Sequence, residues 1–188
     1  MENQIISILD ENIKVTEKLK DLTPLIIIVT KKIVNAYKNK KKVVLFGNGG
    51  SAADAQHIAA EFVGKFYRDR DSLPSLAFHT NTSVLTATAN DFGYDLVFER
   101  QVASFVEAGD VAVGISTSGN SSNVIKGLIK AKEKGAVTIG FTGESPSKVE
   151  EIVDFCLKIP SSDTPRIQEG HITVGHIICY LVENELFG

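Results

Sequence analysis

Two short segments carry most of the residues whose types and spacing point to chemistry. The run Ser116-Thr117-Ser118-Gly119-Asn120-Ser121 places three serines and a threonine between an apolar strand pattern and a helical one. At such a junction the free N–H groups and the positive end of the helix attract an anion, and hydroxyls can donate to phosphate oxygens. A turn in which Ser121 merely caps the helix would use the same residue types. No lysine stands in the turn and the spacing is not G-x-x-x-x-G-K-[ST], which argues against a P-loop nucleotide site. The second segment is Gly47-Asn48-Gly49-Gly50-Ser51-Ala52-Ala53-Asp54. Its glycines let the backbone approach a ligand closely, and Ser51 and Asp54 have the spacing of a capping box. It is not G-x-G-x-x-G, which argues against a dinucleotide.

Further along, His57 and Glu61 are four residues apart and share one face of a helix, a spacing that suits a metal pair or an acid/base pair. On an exposed helix the same spacing is usually a surface ion pair. Here Ala55, Ile58, Ala59, Ala60 and Phe62 surround the pair, which favours a cleft-facing one. A late helical stretch adds Arg166, Gln168, Glu169, His171 and His176. On an ideal helix Glu169 and His176 fall nearly in line, whereas Gln168 and His176 diverge by about 80°. Geometry alone therefore favours Glu169 as the partner of His176. Asn90-Asp91-Phe92-Gly93-Tyr94 reads as a helix stop and turn that can also offer hydroxyl-binding groups to a sugar.

The elements that must position these residues follow from the apolar pattern. Residues 2–39 carry apolar positions at helical spacing (Ile5, Ile6, Leu9, Ile13, Leu19, Leu25, Ile28, Ile33, Ala36), with Thr23-Pro24 as a restart, and predict two helices. From Lys42 onward short apolar runs alternate with helical ones: Val43–Gly47, Ser75–His79, Val111–Ile115, Val137–Phe141 and Phe155–Ile159. Five buried strands with intervening helices indicate an α/β fold, a three-layer doubly wound parallel sheet. Ligands in such folds bind beyond the carboxyl ends of the strands, where strand order reverses. With order 2-1-3-4-5, the two Gly- and Ser-rich turns flank that crevice. A final helix over about 165–185 is apolar on most of its circumference and requires burial on several sides, which predicts a homo-oligomer.

The length of 188 residues fits one domain, residues 1–188, of which 1–39 form a helical extension. A formal net charge of -3 gives no general basic field for nucleic acid. The run Lys38, Lys40, Lys41, Lys42 reads as a solvated helix end. Cys156 and Cys179 are far apart and set among apolar residues, which suits buried hydrophobes in a reducing compartment. The N-terminus has no signal pattern and the longest apolar run, Leu25–Val29, cannot span a bilayer, so no membrane and a cytoplasmic location are expected.

Taken together, GNGGSAADAQHIAAEFVGKF, TATANDFGYDLVFERQV, GDVAVGISTSGNSSNV and TPRIQEGHITVGHIICYLVE resemble the phosphoheptose isomerases, members of the SIS class, in order and spacing across nearly the whole chain. The resemblance implies a homotetramer that converts sedoheptulose 7-phosphate to D-glycero-D-manno-heptose 7-phosphate, a precursor of surface heptose. It implies sugar-phosphate contacts from Asn48, Gly49, Gly50, Ser51, Asn90, Asp91, Ser116, Thr117, Ser118 and Ser121, and a catalytic pair in Glu61 and His176. It also implies zinc held by His57, Glu61, Gln168 and His176, so that here the resemblance selects Gln168 over Glu169. The family usually has Gly-Arg-Phe where this chain has Gly64-Lys65-Phe66, and lysine lacks the planar fork of arginine. Two other readings fit the same class: a non-catalytic SIS binding protein of the replication-initiator-associating type, and an isomerase of another sugar phosphate.

Overall fold

The apolar runs form five strands in the computed structural model, which describes residues 1–188. In chain order the elements are α1 (Glu2–Lys18), a 3-10 turn (Leu19–Leu22), α2 (Thr23–Lys38), β1 (Val43–Gly47), α3 (Gly50–Val63) and β2 (Ser75–Ala77). There follow α4 (Thr82–Phe92), a second 3-10 turn (Tyr94–Leu96), α5 (Val97–Phe105), β3 (Val111–Ile115) and α6 (Ser122–Glu133). The chain closes with β4 (Val137–Thr142), α7 (Lys148–Ile152), β5 (Phe155–Lys158) and α8 (Thr164–Phe187). The sheet is parallel throughout, in order β2-β1-β3-β4-β5.

Both faces of the sheet are covered, which is why its strands are unbroken apolar runs rather than alternating ones. Val43, Leu45, Val111, Val113 and Ile139 point to one side and pack with α2, α3 and α8. Val44, Phe46 and Ala112 point to the other and pack with α5 and α6, where Phe46 and Phe98 stack at 5.2 Å between ring centroids. The helix α2 supplies Ile26, Val29, Ile33, Val34, Ala36 and Tyr37 to the larger core, whereas α1 buries no residue.

Several bounds differ from the expectation. The strand β2 ends at Ala77 rather than His79, because the chain turns there and the Thr80 hydroxyl donates to the Ala77 carbonyl. The strand β4 runs one residue longer, to Thr142, and β5 stops at Lys158. The capping box does not form: Gly49 is the N-cap of α3, so Ser51 lies inside the first turn and is buried. Of the basic run, Lys38 and Lys40 stay exposed at the end of α2, whereas Lys42 Nζ lies 2.7 Å from the buried Asp110 carboxylate and Lys41 faces Glu107 at 3.8 Å.

Candidate functional site

The turns after β1 and β3 meet at the reversal of strand order, since β1 and β3 are neighbours and the chain winds outward from them in both directions. After β1, Gly49 has φ +56°, a left-handed conformation that glycine tolerates, and it turns the chain directly into α3. A Cβ on Gly50 would fall onto the Gln168 carboxamide, 2.8 Å from its Cδ, so Gln168 of α8 lies against the start of α3. Asn48 is held by a reciprocal amide pair: its Nδ2 donates to Asn123 Oδ1 at 2.8 Å, and Asn123 Nδ2 donates to Asn48 Oδ1 at 2.9 Å. The Tyr94 hydroxyl adds a third bond to Asn48 Oδ1 at 3.1 Å. These links tie the first turn to α6 and to the segment after α4.

In the turn after β3, Ser121 is the N-cap of α6, yet its hydroxyl makes no capping bond and lies 3.0 Å from the Ser116 hydroxyl. Ser121 thus caps none of the first-turn N–H groups of α6, and of these Val124 N–H turns instead to Asn123 Oδ1 at 2.9 Å. Ser118 Oγ lies 3.5 Å from Ser116 Oγ and accepts from Asn120 N–H. From below, Gly143 N–H donates to the Thr117 carbonyl at 3.0 Å, so the turn after β4 braces this one. Asn90 and Asp91 lie exposed on the last turn of α4 and bond to each other at 2.8 Å, with no bond to either crevice turn.

About two turns along α3 from its start, three side chains converge. His57 Nε2 lies 3.0 Å from Glu61 Oε1 and 3.4 Å from His176 Nε2, and the two imidazole rings meet edge to face at 4.9 Å. One ligand atom from each of the three residues lies within 4.8 Å of the others. Zinc bonds of ~2.0–2.1 Å at tetrahedral angles place ligand atoms about 3.4 Å apart, close to the spacing of the two histidine nitrogens. The donor set of two imidazoles and a carboxylate also suits that ion. Glu169 does not join them. Its carboxylate accepts from Asn12 Nδ2 at 2.6 Å and from Arg166 at 2.7 Å, and so faces α1. Lys65 is exposed on the segment just after α3.

Three residues here escape a reading by motif. Asn123 and Tyr94 orient Asn48, and neither stands out as a type in its own segment. Asp54 shares the face of His57 and Glu61 at i, i+3 and i+7, a periodicity that the capping-box reading obscured. Its Oδ2 is buried without a partner, and burial pushes its carboxyl up to about 6, against the pull of His57.

The SIS domain family profile matches residues 9–143. A phosphoheptose isomerase of Aneurinibacillus thermoaerophilus is 52% identical over 190 residues, covering 100% of this chain and 96% of that one. The solved structure of a phosphoheptose isomerase from Neisseria gonorrhoeae superposes with a TM-score of 0.92 at 37% identity, covering 97% of this chain and 98% of the other. One from Francisella tularensis gives a TM-score of 0.94 at 28% identity, with 97% of each chain covered. With the fold order, both crevice turns and the His57, Glu61 and His176 cluster in place, this chain belongs to the SIS domain family and, within it, to the phosphoheptose isomerases.

Proposed function

We propose that the chain is an aldose–ketose isomerase that converts sedoheptulose 7-phosphate to D-glycero-D-manno-heptose 7-phosphate through an enediol. It would act in the cytoplasm, in heptose-precursor biosynthesis for surface polysaccharide, as a homotetramer of one-domain chains. The observation that carries this reading is the meeting of Glu61 and His176 beside two polar turns at one crevice. The phosphate rests on Ser116, Thr117, Ser118 and Ser121 and on the Ser122 and Asn123 N–H groups at the start of α6, where the helix dipole favours an anion. Asn48, Gly49, Gly50, Ser51, Asn90, Asp91 and Gln168 hold the sugar hydroxyls. Glu61 takes the proton from C1 and returns it to C2, and His176 exchanges protons with the two oxygens. His57, Glu61 and His176, with Gln168 as the fourth ligand that the family resemblance adds, would hold zinc, which when bound polarises the sugar carbonyl.

The relatives named phosphoheptose isomerases support the seven-carbon substrate, and the presence of both Glu61 and His176 favours catalysis over a purely binding role. The test is turnover of sedoheptulose 7-phosphate by the wild type and by Glu61→Gln. The variant should keep its circular dichroism and lose at least about a hundredfold in kcat. Normal turnover by Glu61→Gln sinks the assignment of the base. A wild type that isomerises a six-carbon phosphate and not the seven-carbon one overturns the substrate.

A further inference from the structure

Away from the crevice, the most heavily bonded side chains of the molecule are Arg70 and Glu183, 113 residues apart in sequence and each 2% exposed at the side chain. Glu183 Oε1 accepts from Phe66 N–H at 3.1 Å, and Oε2 accepts from Tyr67 N–H at 2.8 Å and Arg68 N–H at 3.0 Å. Three successive backbone donors therefore close on one carboxylate, and Arg70 Nε adds a fourth bond at 3.0 Å. The rest of the guanidinium turns to the end of α3: Nη2 donates to the Glu61 carbonyl and Nη1 to the Phe62 carbonyl, both at 2.9 Å. These are carbonyls that the end of a helix leaves without partners. Glu183 stands seven residues after His176, two turns along the same face of α8. Phe66, fixed by this network, packs its ring 5.6 Å from the His176 ring.

We infer that Arg70 and Glu183 form a positioning clasp that sets the spacing of α3 and α8, and so the convergence of Glu61 and His57 with His176. The inference rests on the reading of that triad as the metal and proton-transfer site. One end of the clasp grips the backbone of Glu61 itself. The other end is built into the helix that carries His176, and between them it seats the segment that bears Lys65 and Phe66. A planar, five-donor guanidinium suits this work because it reaches two helix carbonyls and a carboxylate at once. The network touches neither the turn after β3 nor Asn48, so it acts on the triad and not on phosphate capture.

The test compares wild type, Arg70→Lys and Glu183→Gln by zinc affinity in chelator competition, by kcat and KM, and by thermal unfolding. Arg70→Lys keeps the charge and loses the fork. For variants that still unfold cooperatively, zinc affinity and kcat should each fall by about 10–100-fold, the range for residues that orient metal ligands, with KM changed less than threefold. Folded variants with wild-type zinc affinity and kcat overturn the inference, as does a wild type that binds no zinc. Should both variants fail to fold, amide exchange on the wild type decides. Coupling between sites is reciprocal, so zinc should slow exchange at the Phe66, Tyr67 and Arg68 amides. Unchanged exchange there overturns the clasp. The zinc and exchange readouts contain no sugar, so a wild type without isomerase turnover would defeat the proposed function and leave the clasp to be judged on them.

Discussion

Of the four histidines, His171 is the one whose ring is wholly enclosed. Its Nε2–H donates to the Thr142 carbonyl at 3.2 Å, while Nδ1 is buried without a partner. The ring thus pins α8 to the end of β4, next to the Gly143 N–H that braces the Thr117 carbonyl. Burial depresses its pKa from 6.5 to about 4, with the Thr142 bond opposing. Below pH 6.5 the unfolded chain takes up a proton that the folded chain refuses, so stability is full above that pH and falls as pH drops toward 4. The loss is roughly 3 kcal/mol across that window. Asp54, raised to about 6 by burial, contributes a slope of opposite sign, stabilising the fold as pH falls through the same range. The difference between wild type and His171→Gln, measured by urea unfolding at pH 7, 5.5 and 4.5, isolates the histidine. The acid loss should flatten in the variant, and an identical slope would contradict the assignment. At this scale the sequence was legible by type but not by direction. Glu169 aligns better with His176 on an ideal helix, yet Arg166, three residues before it, and Asn12 claim its carboxylate; the Asn12 claim comes from α1, 157 residues upstream, where no local pattern records it.

Among the elements, α4 and α6 begin alike in sequence and differently in structure. Asn81 caps α4 by accepting from Val84 N–H at 3.1 Å, whereas the Ser121 hydroxyl at the start of α6 turns to Ser116 and leaves the equivalent Val124 N–H to Asn123 Oδ1. The two positions therefore separate stability from binding. Asn81→Ala should cost about 1 kcal/mol in unfolding free energy, the usual worth of a cap, with KM unchanged. Ser121→Ala should cost less than about 0.5 kcal/mol, because no capping bond is lost, and should raise KM for the sugar phosphate about tenfold through a lost charge-assisted bond of about 1.5 kcal/mol. Urea titration together with initial rates checks both, and the reverse ranking would mean that Ser121 serves the helix after all. The sheet itself was readable because strands buried on both faces write themselves as continuous apolar runs. The shortness of β2 was not, since Phe78, one residue past the last paired position, is still buried and still donates its N–H to the Leu45 carbonyl at 3.0 Å. The Arg70–Glu183 link was equally invisible, because it joins a turn to a helix with no periodicity between them.

For the whole molecule, the unbalanced feature is α1. Its 17 residues include no buried one, although Ile5, Ile6, Leu9 and Ile13 are exposed by 59%, 49%, 58% and 55%. A helix of this length with so little packing is marginal in water; here half-buried Val15 rests on the larger core, and the Asn12–Glu169 bond and Arg166 on the Ile8 carbonyl tie it to α8. Ile27 and Ile28 of α2 and Ile177 and Tyr180 of α8 are exposed as well. Covering apolar side chains of this kind stabilises by about 1.5–3 kcal/mol each when burial is complete, enough to hold copies of the chain together. Ile177 adjoins His176 in sequence, and Tyr180 meets Tyr67 edge to face at 5.9 Å, so association would also cover the rim of the triad. On the proposed homotetramer, light scattering should report a mass four times the chain's 20.4 kDa. Leu9→Asp combined with Ile13→Asp places charge on the face that association would cover, where an unpaired carboxylate is costly. The double variant should yield smaller species, a lower melting temperature and a reduced kcat, with its far-ultraviolet circular dichroism retained. If the tetramer persists with both aspartates in place, α1 is not part of the interface, and the faces of α2 and α8 must hold the copies together without it.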